Sequence, residues 1–186
     1  LHLPVQSGSS KILKAMNRKH NIEEYSKTIS DLKEAKVNIK FSSDFIVGYP
    51  GETDADFQKT LELIKKTKFI NSYSFIYSSR PGTPASELVN IDKEVAKKRL
   101  IELQQILEEI NIRSKKIFLN KSTEVLFENK MKDQNKYFGR DKFLNAVVVE
   151  SNEDLTGQLL NIKINSFNHN SLHGEIIRDE NKNFAA

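Results

Sequence analysis

The chain contains no cysteine in 186 residues. These residues therefore form no disulfide, offer no thiolate nucleophile and cannot hold a metal or an iron-sulfur cluster through sulfur. No apolar run approaches the roughly 18 residues of a membrane span, and Leu1 opens into strand-like sequence with no charged leader or cleavage site. A soluble, cytoplasmic protein without membrane contact is expected. There is no initiator methionine, and structure is expected from residue 1; the reading is a piece of a longer protein. Histidine is sparse, at positions 2, 20, 169 and 173. Only His169 and His173 are four apart, and Asn168, Asn170, Ser171 and Gly174 around them spell a turn, so no metal site is expected.

What is present is ordinary globular material, 38% hydrophobic and 29% charged. The net charge of +4 is uneven: residues 1–120 hold 20 Lys+Arg against 15 Asp+Glu, and residues 121–186 hold 9 against 10. Much of the basic surplus sits in runs such as Lys65-Lys66, Lys97-Lys98-Arg99 and Lys115-Lys116, which read as solvated helix faces. Charge alone permits RNA binding without requiring it.

Strand and helix patterns alternate up to residue 118. "LHLPV" reads as a strand, followed by a helix with Ile12, Leu13 and Met16. Asn21 caps a second helix, with Glu24 at its third position and Tyr25, Ile29, Leu32 and Ala35 on one face. "VNIKFSSDFIV" reads as a strand, and Thr53 caps a helix buried through Phe57, Leu61 and Ile64. "SYSFIYS" is a third strand, and a long helix starts near Asp92 with Ala96, Leu100, Leu103, Leu107 and Ile110 inward. This alternation is the pattern of parallel β/α units. From residue 119 it gives way to five short strands, "STEVLFE", "KYFGR", "NAVVVE", "QLLNIKINSF" and "LHGEII", the pattern of a small barrel. Domains 1–118 and 119–186 are expected, the last residues fraying.

In parallel β/α architectures ligands bind where loops leave the C-terminal strand ends. Three loops rich in Gly, Pro and polar groups occupy that position: "VQSGS", "GYPGET" and "SSRPGTPA". Gln6, Ser7 and Ser9 bring an amide and hydroxyls, Gly48 and Gly51 allow close backbone approach, and Arg80 brings a fork suited to carboxylate or phosphate. Each has a structural alternative: turn geometry for the glycines, a helix cap for Ser9 or Ser10, the exposed start of a strand for Asp44, and pairing with Glu52 or Glu87 for Arg80. The residues alone imply a polar ligand at three strand ends and a barrel after it.

The segments "LHLPVQSGSSKILKAMNRKH", "SSDFIVGYPGETDADF" and "YSFIYSSRPGTPA" resemble the radical S-adenosylmethionine methylthiotransferases, and "YFGRDKFLNAVVVE" and "NSFNHNSLHGEII" resemble that family's TRAM domain, a small RNA-binding barrel. The wording of "SFIYSSRPGTPA" is similar to the branch acting on tRNA rather than on a ribosomal protein. The resemblance implies the distal half of a partial (β/α)6 barrel followed by an OB-like TRAM barrel. It further implies addition of a 2-methylthio group to C2 of N(6)-dimethylallyladenosine beside the anticodon. The branch that acts on threonylcarbamoyl-adenosine, and a tRNA-binding remnant without catalysis, stand as alternatives.

The resemblance also implies cofactors and contacts. Full-length members use S-adenosylmethionine (SAM) and two four-iron four-sulfur clusters, one ligated by Cys-x3-Cys-x2-Cys. None of those cysteines is here, so this stretch alone is expected to hold no catalytic or metal-ligating residue and no activity. The family pattern Gly-x-Ile-x-Gly-x-x-Glu maps onto Asp44, Ile46, Gly48 and Gly51, with Asp44 replacing the first glycine and Glu52 falling one place late. Gln6, Ser7, Asp44, Ile46, Gly48 and Arg80 are the implied SAM contacts. Tyr137, Phe138, Arg140, Lys142, Phe143 and Arg178 are the implied contacts to a tRNA anticodon stem-loop. The expected partners are tRNA, SAM and an electron donor, and the expected state is a monomer.

Overall fold

A computed structural model describes residues 1–132 and 134–177. The chain is mixed α/β and divides into two compact units between Asn111 and Ile112.

The first unit is built on parallel extended segments. Strands β1 (Asp44–Val47) and β2 (Tyr73–Ile76) pair in register, Asp44 with Tyr73 and Ile46 with Phe75. The expected strand at residues 1–5 is reduced to two parallel bridges, His2 with Ser42 and Gln6 with Phe45. Pro4 lies between them and has no N–H to give, and the Val5 N–H donates to Ser43 Oγ (3.0 Å) instead of to a carbonyl. The strand expected from Val37 also shortens. Val37 is 88% exposed, because residues 36–40 connect a helix to the sheet rather than lie in it, and β-branched propensity yields to that path.

Helices α1 (Ser10–Ala15) and α2 (Ile22–Ala35) lead to β1, α3 (Asp54–Thr67) links β1 to β2, and α4 (Lys93–Lys116) follows β2. Both helices with sequence-legible starts carry full capping boxes, Asn21 with Glu24 and Thr53 with Asp56. Each box satisfies two otherwise orphaned N–H groups. The core collects Tyr25 and Ile29 of α2, Phe45 and Val47 of β1, Phe57, Leu61 and Ile64 of α3, and Leu103 and Leu107 of α4. Ala35 stays exposed. Phe45 and Val47 face this core; Asp44 and Ile46, alternating with them, lie on the opposite sheet face beside the exposed Tyr73 and Phe75.

The second unit holds strands β3 (Ser122–Lys130), β4 (Lys136–Asp141), β5 (Ala146–Glu150), β6 (Leu159–Phe167) and β7 (Leu172–Ile176). They close into a barrel in the order β3-β4-β5-β7-β6, with β5 and β7 parallel and the other pairs antiparallel. Closure leaves no strand edge unpaired. Val125, Phe127, Tyr137, Val147, Val149, Ile162, Ile164 and Leu172 fill the interior. Among the described residues no helix is long and apolar enough to cross a membrane.

Candidate functional site

Two strand-end loops of the first unit are tied together by Asp56, on the first turn of α3. Its carboxylate accepts Ser9 Oγ (2.7 Å), Thr53 Oγ1 (2.7 Å), the Thr53 N–H (3.0 Å) and Lys11 Nζ (3.1 Å). Lys11 also donates to the Gly51 carbonyl (2.9 Å), and Thr60 Oγ1 accepts the Gly8 N–H (2.9 Å). The loop after the first segment thereby rests on α3 and on the "GYPGET" turn at once. Burial alone would raise the Asp56 carboxyl, but the hydrogen bonds from Ser9, Thr53 and Lys11 outweigh it and hold the group well below the ordinary carboxylate range.

The turn after β1 is clamped from α4. Gly48 has φ of +73°, and a Cβ there would lie 2.8 Å from the Ala96 Cβ, so glycine is required twice over. The Gly48 N–H donates to Glu52 Oε2 (2.9 Å). Arg99 Nη1 donates to the same oxygen (2.7 Å) and to the Glu52 carbonyl (3.2 Å), while Nη2 reaches Asp54 Oδ1 (2.6 Å). Arg99 is only 7% exposed and Glu52 5%. Burial pushes the Glu52 carboxyl above its ordinary value, and the Gly48 N–H and Arg99 reverse this only in part.

Gln6 has a backbone no local signal announced. Its φ is +74°, in the left-handed region that non-glycine residues seldom occupy. Its N–H and carbonyl are consumed by Asp44 and Ile46 of β1. The residue is buried, yet its side-chain amide has no hydrogen-bond partner among the described residues. Backbone strain of this kind, about 1–3 kcal/mol, persists where surrounding contacts over-determine it and clusters at ligand sites.

The remaining expected contacts divide. Ser7 is fully buried, accepts the Ser9 N–H (3.2 Å) and lies 3.4 Å from Thr60 Oγ1; its hydroxyl supports the loop. Ser9 stands at the start of α1 but makes no cap bond, because its hydroxyl is committed to Asp56. Asp44 lies 3.4 Å from His2 Nε2 on the open sheet face. Arg80 is exposed, and among the described residues its guanidinium pairs with neither Glu52 nor Glu87. Arg99 takes Glu52 instead.

On the barrel, Tyr137 is 4% exposed in the interior and cannot stack on a base, a correction to its expected role. Alternation along β4 turns Phe138 and Arg140 away from that interior. The Arg140 guanidinium sits over Phe138 (5.2 Å) and pairs with Glu128 (3.2 Å). Lys142 Nζ lies over Phe143 (5.4 Å), whose ring packs edge-on against Phe118 (5.9 Å). Arg178 falls outside the described residues.

Comparison of the sequence with known proteins points to one family. Residues 1–64 match the family model of the radical SAM superfamily. The chain is 49% identical over 185 residues to the tRNA-2-methylthio-N(6)-dimethylallyladenosine synthase of Pelagibacter ubique (strain HTCC1062), an alignment covering 100% of this chain and 42% of that protein. It is 44% identical over 177 residues to the synthase of Wolbachia pipientis subsp. Culex pipiens (strain wPip), covering 94% and 40%. To that of Vibrio cholerae serotype O1 it is 45% identical over 182 residues, covering 97% and 38%. The chain thus spans about two fifths of the length of the curated relatives it matches. With that similarity sustained along its whole length, the chain belongs to the radical SAM methylthiotransferase family.

Proposed function

We propose that the chain is the distal part of a tRNA methylthiotransferase that adds a 2-methylthio group to C2 of N(6)-dimethylallyladenosine beside the anticodon. In this reading residues 1–118 are the end of a partial (β/α)6 barrel that holds SAM, and residues 119–186 are a TRAM barrel that holds RNA. Similarity to synthases of that name over the full chain supports the substrate assignment. The observation that carries the cofactor site is Gln6, a residue with a strained backbone at a strand end whose side-chain amide has no hydrogen-bond partner among the described residues.

The residues present fit the cofactor. Ile46 offers an apolar face for adenine, and the Gln6 amide can donate to and accept from ribose or the methionine head group. Gly48 lets α4 close on the turn and fix it, and Arg80 offers a cation unpaired within the described residues to a carboxylate or phosphate. SAM bound there, with electrons delivered through iron-sulfur centres, supplies hydrogen abstraction at the target carbon and the methyl group. Two four-iron four-sulfur clusters belong to this reading, and a cysteine-free chain cannot ligate them through sulfur. The 186 residues on their own are therefore expected not to turn over. The protein's own contribution is to bind, orient and shield.

For RNA, Phe138 and Phe143 offer rings to unstacked bases, with Arg140 and Lys142 beside them for phosphates. Glu128 offsets Arg140, so the grip rests on stacking more than on a broad electrostatic clamp. A cytoplasmic monomer served by an external electron donor completes the reading.

The test is chemical. The full-length gene product that contains this chain is expressed in a host lacking adenosine 2-methylthiolation, and its tRNA nucleosides are resolved by mass spectrometry. Appearance of 2-methylthio-N(6)-dimethylallyladenosine is the expected result. Methylthiolation of threonylcarbamoyl-adenosine instead, or of neither nucleoside, contradicts it.

A further inference from the structure

We infer that Arg99, which lies on α4 and outside the strand-end loops, is a positioning residue for the cofactor, acting through Glu52 on the Gly48 peptide; this rests on the SAM reading above. The geometry is specific. Arg99 joins three acceptors on one turn, Glu52 Oε2, the Glu52 carbonyl and Asp54 Oδ1, at 2.7, 3.2 and 2.6 Å. The Glu52 oxygen that it holds is the one receiving the Gly48 N–H.

One turn earlier on the same helix face, Ala96 closes on Gly48 so tightly that no side chain fits between them. A steric stop and a charged strut thus act from one helix on one turn, and Gly48 ends the strand that carries Ile46. Arg99 and Glu52 are both buried, and Arg99 Nε has no hydrogen-bond partner among the described residues. A buried ion pair of this kind adds little net stability over an apolar pair of the same shape. Its consequence here is geometric: with Glu52 held from both sides, the Gly48–Glu52 turn has one conformation, and a ligand resting on it meets a preorganised surface.

Removing Arg99 alone would leave Glu52 buried and unpaired, so the primary variant is the double R99M/E52Q, which strands neither charge and keeps an acceptor for the Gly48 N–H. Arg99→Lys is the conservative partner, retaining a cation but not the planar fork that spans Glu52 and Asp54. Equilibrium dialysis of radiolabelled SAM against the 186-residue chain gives the affinity, and amide hydrogen exchange gives the order of the Gly48 peptide.

The expected result is a loss of SAM affinity of at least about fivefold in R99M/E52Q, the lower end of couplings between linked sites. Arg99→Lys falls between it and the unaltered chain. Exchange at Gly48 accelerates in the same order, while Phe45 and Val47 keep their protection. Binding unchanged within about twofold, well under such couplings, despite faster Gly48 exchange overturns the role of Arg99 and leaves the SAM site standing. Absence of saturable binding by the unaltered chain overturns the SAM site, and the inference with it.

Discussion

Asp56→Ala is expected to destabilise the α/β unit by about 3 kcal/mol, an order-of-magnitude figure for deleting a buried, multiply hydrogen-bonded carboxylate. The substitution removes the acceptor for Ser9, Thr53 and Lys11 together and breaks half of the α3 capping box. Ser9 Oγ is then left buried with no acceptor, while Lys11, largely exposed, returns to water. Urea unfolding followed by the helical circular dichroism signal checks the size of the effect.

The same carboxylate gives a pH signature of fixed sign. Its folded pKa lies below the unfolded value of about 3.9. Its contribution is therefore fully present above that value and is lost as pH falls through the depressed folded range. The native chain should lose helical-unit stability more steeply below about pH 4 than Asp56→Ala does, and the two curves should converge in strong acid.

Gly174→Ala is expected to cost the barrel about 3 kcal/mol or more, at the upper end of overpacking penalties. Gly174 lies in β7 opposite Ile164 of β6 and beside Val149 of β5, where β7 closes the barrel. A Cβ there would fall 2.2 Å from the Lys163 carbonyl oxygen and 2.8 Å from Ile162 Cγ2. The first obstacle is backbone locked in the ladder, so relief requires β6 and β7 to separate. Gly157→Ala is the control: its φ of +78° carries a conformational penalty, but nothing lies within 4 Å of the added atom. That penalty is about 1 kcal/mol, and thermal unfolding of both variants should separate the two mechanisms.

Much of the architecture was written locally. Asn21 with Glu24 and Thr53 ahead of two acids announce helix starts that the structure shows as complete capping boxes, and Phe57, Leu61 and Ile64 mark the buried stripe of α3. The five barrel strands fall close to where short runs separated by turns place them.

What local pattern missed depends on distant partners. Arg99 sits in a Lys-Lys-Arg run that reads as solvated, yet it is buried because its acceptors come from 45 to 47 residues earlier. Lys115 is likewise in a Lys-Lys pair, and it is buried with its amine on the His169 carbonyl and its pKa lowered by burial. Tyr137 carries an aromatic signal that suits core and RNA equally, and only the register of β4 assigns it inward. Gln6 illustrates the same limit at the site: nothing in "PVQSG" announces a positive φ, which follows from pairing both of its backbone groups to β1 while the chain turns away.

SAM held by the strand-end loops of the first unit would perturb the backbone amides that line them. The most direct measurement is a titration of the ¹⁵N-labelled chain with SAM, read as amide shifts. Saturable shifts at Gln6, Ser7, Ile46, Gly48 and Gly51, with the barrel strands unmoved, are the expected result. Shifts confined to the barrel, or none up to millimolar cofactor, would contradict it.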